Sequence, residues 1–185
     1  MSDFTTLTSP AIPLFRDNIN ADIIAPASWP GPAHKRAFAS LRFEGRSIVK
    51  AASIFDKPPF DHAAILIVGG NFGRGPRFHD ACAALSAQGF ACLVGVSFAQ
   101  SFADRAVASG LVLLTLDRRA AASLADAALD GYAMTVDLTA LRITTCHGVH
   151  YKAARMQARL SGRQLAASAS GASSEKSHLF YAGED

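Results

Sequence analysis

The sequence predicts an α/β domain of three layers, built on a mixed and partly parallel sheet. Three observations carry this expectation. Short aliphatic runs recur at Ala64 to Val68, Phe90 to Val96 and Leu111 to Leu116, each bounded by glycine or turn-forming residues. Between them lie segments with apolar residues at helical spacing. The connections are only a few residues long, so right-handed crossovers make the three strands parallel neighbours with helices covering the sheet.

In chain order, the first ten residues are polar and read as a loose N-terminus, which sets domain bounds of 1–10, 11–165 and 166–185. Ile12 to Pro30 carries Pro13, Asp17, Asn18, Asn20, Asp22, Pro26 and Pro30 and reads as loop around the Ile23-Ile24 pair. The run ending at Val68 opens into Gly69-Gly70-Asn71-Phe72-Gly73-Arg74-Gly75-Pro76, a turn-forming loop. His79 to Gln88 follows as a helix, with Ala81, Ala84 and Leu85 on one face and Gly89 at its end. Ser97 is placed to cap a second helix running to Ser109, with Gly110 as its stop. Tyr132 to Tyr151 suggests two short strands outside the parallel core, and Lys152 to Leu160 a last helix stopped at Gly162. The Ser/Ala/Gly-rich stretch from Ala166 to Ser177 belongs to an expected flexible tail.

Composition narrows the function classes. A chain of 185 residues with 50% hydrophobic residues can bury a proper core, so neither metal nor disulfide is needed to hold it. A net charge of +3 without a Lys/Arg stripe gives nucleic acid little to bind. The apolar runs are far shorter than the roughly 20 residues that cross a bilayer, so no membrane partner is expected. The opening residues lack the basic and apolar regions of a secretory signal, leaving the cytoplasm as the default. Cys82, Cys92 and Cys146 form an odd set without close spacing, as expected of reduced thiols that cannot alone hold an iron–sulfur cluster.

Chemistry concentrates in the glycine-rich loop. It lies at the carboxyl end of a strand and leads into a helix N-terminus, where backbone N–H groups favour an anion. Glycines such as Gly73 and Gly75 let a ligand approach the backbone, Asn71 offers an amide, and Arg74 and Arg77 add positive charge. The spacing is neither a dinucleotide fingerprint nor a P-loop, and a strand-end turn without a ligand fits it as well as a carboxylate or phosphate cradle. Asp17 and Asp22 read more readily as turn formers than as ligands. Cys146, His147 and His150 read as ordinary surface and packing residues, since 146 and 147 point to opposite faces of a strand. Phe78, Phe98 and Phe102 fit helical faces of the core.

Two stretches together carry a resemblance. Asn18-Ile19-Asn20-Ala21-Asp22-Ile23-Ile24-Ala25-Pro26, followed by Ile65 to Gly75, resembles the swivel domain of the aconitase superfamily and in particular the small subunit of 3-isopropylmalate dehydratase. Gly89-Phe90, Val96-Ser97-Phe98-Ala99, Phe102 and Ser109-Gly110-Leu111 match in order and spacing, and the resemblance covers residues 11–165. It implies a β/β/α swivel fold. It also implies a separate large subunit carrying an iron–sulfur cluster, with no cofactor on this chain, and a small dicarboxylate whose hydroxyl is moved by dehydration and rehydration.

The same resemblance exposes a divergent loop. The family continues Asn-Phe-Gly-Cys-Gly-Ser-Ser-Arg-Glu-His-Ala, with a serine as base and an arginine on substrate carboxylate. Here Arg74 to Asp80 reads Arg-Gly-Pro-Arg-Phe-His-Asp, so the two serines become Pro76 and Arg77. The family's Asp-Thr-Asp becomes Asn20-Ala21-Asp22. If catalysis persists, Arg77 takes the carboxylate, and His79 or Asp80 supplies the base, imidazole and carboxylate being ordinary proton acceptors. If it does not, the chain is a non-catalytic binding or regulatory subunit. An unrelated anion-binding α/β protein is the third reading.

Overall fold

The structure, a computed structural model, describes residues 5–27 and 58–156. Four parallel strands form its centre: β2 (Ala11–Leu14), β3 (Ile65–Val68), β4 (Cys92–Gly95) and β5 (Val112–Thr115). They lie side by side in chain order, and β9 (Ala154–Arg155) adds antiparallel to β5. The crossovers contain α2 (Phe78–Ala87) and α3 (Gln100–Ala108). The short α1 (Ala21–Ile24) follows β2, and α4 (Arg118–Ala128) follows β5.

A second, antiparallel sheet has the order β1-β6-β7-β8, made of β1 (Thr6–Ser9), β6 (Met134–Asp137), β7 (Arg142–Thr144) and β8 (His150–Lys152). The alternation of the parallel strands divides the core between two faces. Leu14, Leu66, Val68, Leu93 and Leu113 pack with Leu85, Phe102 and Ala106 of α2 and α3. Ile65, Ile67, Val94, Val112 and Leu114 pack with Leu124 of α4 and with Met134, Val136 and Ile143 of the small sheet. The central strands are covered on both sides, which is why they read as continuous apolar runs, whereas β6 alternates buried and half-buried residues. The layers are the expected mixed α/β arrangement, with α4 sharing the side of the small sheet.

Several local expectations need correction. Thr6–Ser9 form a strand rather than part of a loose tail, because the β-branched Thr6 and Thr8 suit a strand with one face open, and β1 pairs along the whole of β6. Ala11–Leu14 is a strand rather than loop; Pro13 is tolerated because β2 lies at the edge of its sheet. Ile23 and Ile24 belong to a helical turn capped by Asn20, whose side chain accepts from the Asp22 N–H at 3.0 Å. Ser97 caps no helix, since α3 begins at Gln100 after Ala99. Phe98 lies in the connection before it, so it is buried without being helical.

The region from Tyr132 to Tyr151 holds β6, β7 and the start of β8, and Cys146 to Val149 forms a turn. Residues 152–156 contain the end of β8 and all of β9 instead of a helix start. The rest of that expected helix, Gly162 and the tail from 166 lie outside the described residues. Helix α4 has no counterpart in the sequence reading, although Asp117 caps it by accepting from Ala120 N–H at 2.9 Å. Two single residues, Pro10 and Ala153, carry the chain between the two sheets.

Candidate functional site

The loops at the carboxyl ends of β2, β3, β4 and β5 gather on one edge of the sheet. In open parallel sheets this edge is where ligands bind. Residues 69–75 are held there by both neighbouring loops. The Asn18 N–H donates to Gly70 O at 2.8 Å, the Gly73 N–H to Ile19 O at 2.8 Å, and the Ala21 N–H to Arg74 O at 2.7 Å. On the other side the Phe72 N–H donates to Ser97 O at 3.1 Å and the Ala99 N–H to Phe72 O at 2.9 Å. Asn71 and Asn18 both adopt left-handed backbone conformations, and the Asn71 amide donates to Asn18 Oδ1 at 2.8 Å.

Side chains beneath the loop complete the lock. Phe72 is fully buried and meets Phe102 edge-on, with ring centres 5.3 Å apart. Gly73, at φ +80°, rests on that ring: a Cβ there would lie 2.3 Å from Phe102 Cγ. Gly75, at φ +109°, has no room either, since its Cβ would lie 2.2 Å from Asn20 Oδ1. Both glycines are therefore required by the fold, whatever approaches the loop from outside.

The expected site residues divide into two groups. Asn71, Gly73, Arg74 and Gly75 stand beside the 18–22 segment that carries Asp22, joined to it through backbone bonds. Arg77, Phe78, His79 and Asp80 form the start of α2, for which Arg77 is the N-terminal flanking residue. Here Arg77 and Asp80 are engaged with each other, Arg77 Nη2 donating to Asp80 Oδ2 at 2.7 Å. Arg77 Nε is buried and unpartnered among the described residues. His79 is exposed, with its ring 4.3 Å from that of Phe78. The α2 turn thus presents one imidazole outside the ion pair and the unpaired N–H groups of a helix start.

A further polar group lies at the first part of the loop. Asp17 Oδ1 accepts from Gly70 N–H at 2.6 Å, and its other oxygen is paired with Arg118. The Gly70 N–H, and next the Arg118 guanidinium, hold the Asp17 carboxyl below its ordinary value against a smaller opposing effect of burial. Ser97 Oγ accepts from Asn71 N–H at 2.8 Å. Sequence reasoning gave Ser97 a capping role and Asp17 a turn role, and passed over Arg118. Asp17 does serve the loop backbone. The signal for Arg118 was the cap at Asp117 followed by Ala121, Leu124, Ala125 and Ala128 at helical spacing.

The cysteines do not form a metal cradle. Burial pushes the Cys82 and Cys92 thiols up to about 12, whereas Cys146 is exposed in the turn between β7 and β8. Among the described residues no group of three or more His, Cys, Asp or Glu side chains could hold a metal ion. His150 is exposed, with Nδ1 3.0 Å from Thr144 Oγ1. No helix among the described residues is long and apolar enough to cross a membrane.

Comparisons with known proteins bear on this edge. No family model matches the chain. It is 35% identical over 139 residues to the 3-isopropylmalate dehydratase small subunit of Francisella philomiragia, covering 75% of this chain and 74% of that protein. Against the protein of the same name from Rhodospirillum centenum, identity is 32% over 155 residues, covering 80% of this chain and 76% of the relative. A solved structure of 3-isopropylmalate dehydratase from Methanocaldococcus jannaschii matches with a TM-score of 0.60 and 20% identity, across 90% of this chain and 99% of that one. The structural likeness shows a shared fold.

Proposed function

Because the chain belongs to the family of 3-isopropylmalate dehydratase small subunits, we propose that the start of α2 supplies the proton-transfer and carboxylate-binding groups with which it serves this hydro-lyase. The observation that carries the reading is the identity to family members over three-quarters of the chain, together with a loop held in place at the carboxyl edge of the parallel sheet. As a small subunit, the chain works with a large-subunit partner. The reaction shifts a hydroxyl between adjacent carbons of a malate derivative, such as 2-isopropylmalate, by loss and return of water.

The cysteines of this chain do not fit an iron–sulfur cluster, being scattered between the core and a surface turn. The cluster and its chemistry are assigned to the large subunit. On this chain, His79 is the group that exchanges the proton at substrate carbon. The Arg77–Asp80 pair occupies the neighbouring carboxylate, which leaves the imidazole as the base at the turn. Arg77, held by Asp80, keeps further N–H donors for a substrate carboxylate, and Arg74 adds charge on the same loop. Asn71 and Asp22 complete the polar rim, while Gly73 and Gly75 keep the backbone close. Neither nucleic acid nor a membrane is part of this reading.

The test is reconstitution with the large subunit encoded by the same genome. The pair should convert 2-isopropylmalate with a rise in ultraviolet absorbance from the unsaturated intermediate. His79→Ala should lower kcat more than it raises KM, and Arg77→Ala should raise KM. A complex that assembles but shows no turnover would instead make the chain a non-catalytic subunit. Full activity in both variants would remove the α2 turn from the mechanism.

A further inference from the structure

Gly70, itself buried, lies where three strand-end loops meet, beneath the partly exposed side chains of Asp17, Ser97 and Arg118. A Cβ there would stand 3.4 Å from Asp17 Oδ1, 3.6 Å from Ser97 Oγ and 3.8 Å from Arg118 Nη2. These are ordinary contact distances, so the three polar side chains converge within one atom's reach of the Gly70 backbone. The three side chains come from the loop after β2, the loop after β4 and the start of α4, and none belongs to the α2 turn.

The bonding capacity around this point is uneven. Both oxygens of Asp17 are occupied, one by Gly70 N–H and one by Arg118. Ser97 Oγ already accepts from Asn71 N–H, and its own proton has no acceptor among the described residues. A guanidinium has five N–H donors in a planar fork, and Asp17 engages it through Nη2. The side chain of Arg118 is 60% exposed, so its remaining donors face an accessible region. What the crevice lacks is an acceptor. A carboxylate is the group that satisfies a guanidinium edge and a hydroxyl proton together.

We propose that the crevice over Gly70 is a carboxylate subsite, in which Arg118 and Ser97 donate to one carboxylate of the dicarboxylate substrate and Asp17 is the positioning residue that fixes the guanidinium. The proposal rests on the hydro-lyase reading for its substrate class. It assigns the second carboxylate, the first being taken at the α2 turn. The loop over residues 69–75 thereby separates the two carboxylate holds, and a monocarboxylate loses one of them.

The experiment is titration calorimetry of 2-isopropylmalate into the reconstituted two-subunit complex, with turnover measured in parallel. Arg118→Ala should weaken binding by about tenfold or more, as expected when a charged hydrogen-bonding partner is lost. Arg118→Lys should recover part of that loss, and Ser97→Ala should weaken binding about threefold. Arg119→Ala, at the exposed neighbour, should leave affinity unchanged. A purely structural role for Arg118 would lower the unfolding temperature equally in Arg118→Ala and Asp17→Asn and leave affinity intact, and that result overturns the subsite. Affinity loss in the variants, when the wild-type complex binds but does not turn over, keeps the subsite and removes the hydro-lyase reading. A turning-over complex indifferent to Arg118 does the reverse. A wild-type complex that binds no dicarboxylate removes both.

Discussion

The loop after β3 and the first turn of α2 adjoin in sequence, yet they are held by different kinds of interaction. Residues 69–75 are fixed by backbone hydrogen bonds to two other loops and by a buried aromatic cluster beneath. Residues 76–80 carry an ion pair between partly exposed side chains and an exposed histidine. The difference teaches where such a domain can change its chemistry. A loop locked through its backbone constrains glycines and one phenylalanine, whereas a helix start leaves its side chains free to be exchanged.

The largest way to break this contrast is Phe102→Ala. It removes the ring against which Phe72 and Gly73 rest and should cost about 4 kcal/mol of unfolding free energy in denaturant titration. A loss comparable to that of a surface substitution would mean that the loop does not depend on the ring. Gly73→Ala should follow at about 3 kcal/mol, combining overpacking against Phe102 with a left-handed backbone. A stable Gly73→Ala variant would show that the loop can shift as a body.

Asp17→Asn probes the polar anchor, at about 1 kcal/mol or less because the pair is exposed. The folded-state pKa of Asp17 lies below its ordinary 3.8, so its contribution is present above that value and fades as pH falls through the folded value. The gap between wild type and variant should therefore be largest at neutral pH and close at strongly acidic pH. A gap that widens in acid would contradict the assigned cause. The smallest stability effect is expected for Arg77→Ala, about 0.5 kcal/mol, since a partly exposed i,i+3 pair holds little. A large loss there would erase the contrast between the two regions.

The contrast also explains what could be read from the sequence. The parallel strands and the helices between them were legible because double-sided burial writes continuous aliphatic runs, and because Gly89 and Gly110 punctuate the helix ends. β2 was hidden by Pro13, which penalises a central strand but not an edge one. β1 was hidden because Thr6 and Thr8 look like a polar tail until Met134–Asp137 is placed beside them. At the site, the glycine-rich loop was visible from its composition. The meeting of Asp17 with Arg118 was not, because it spans 101 residues and no local pattern records a pairing between two loops. Nor does spacing reveal that Arg77 and Asp80 engage each other, rather than both standing free at the helix start.

The crossings at Pro10 and Ala153 bear on how the chain assembles in time. Thr6 finds its register opposite Asp137, so the small sheet closes only after nearly all of the described chain has been synthesised. Until then β1 is an unpaired strand tethered by a single proline to a sheet that can already be building. Such long-range pairing slows folding and leaves an edge open to wrong partners. The carboxyl edge of the four parallel strands can thus be in place early, while the small sheet must wait for β6 to reach a strand made long before it.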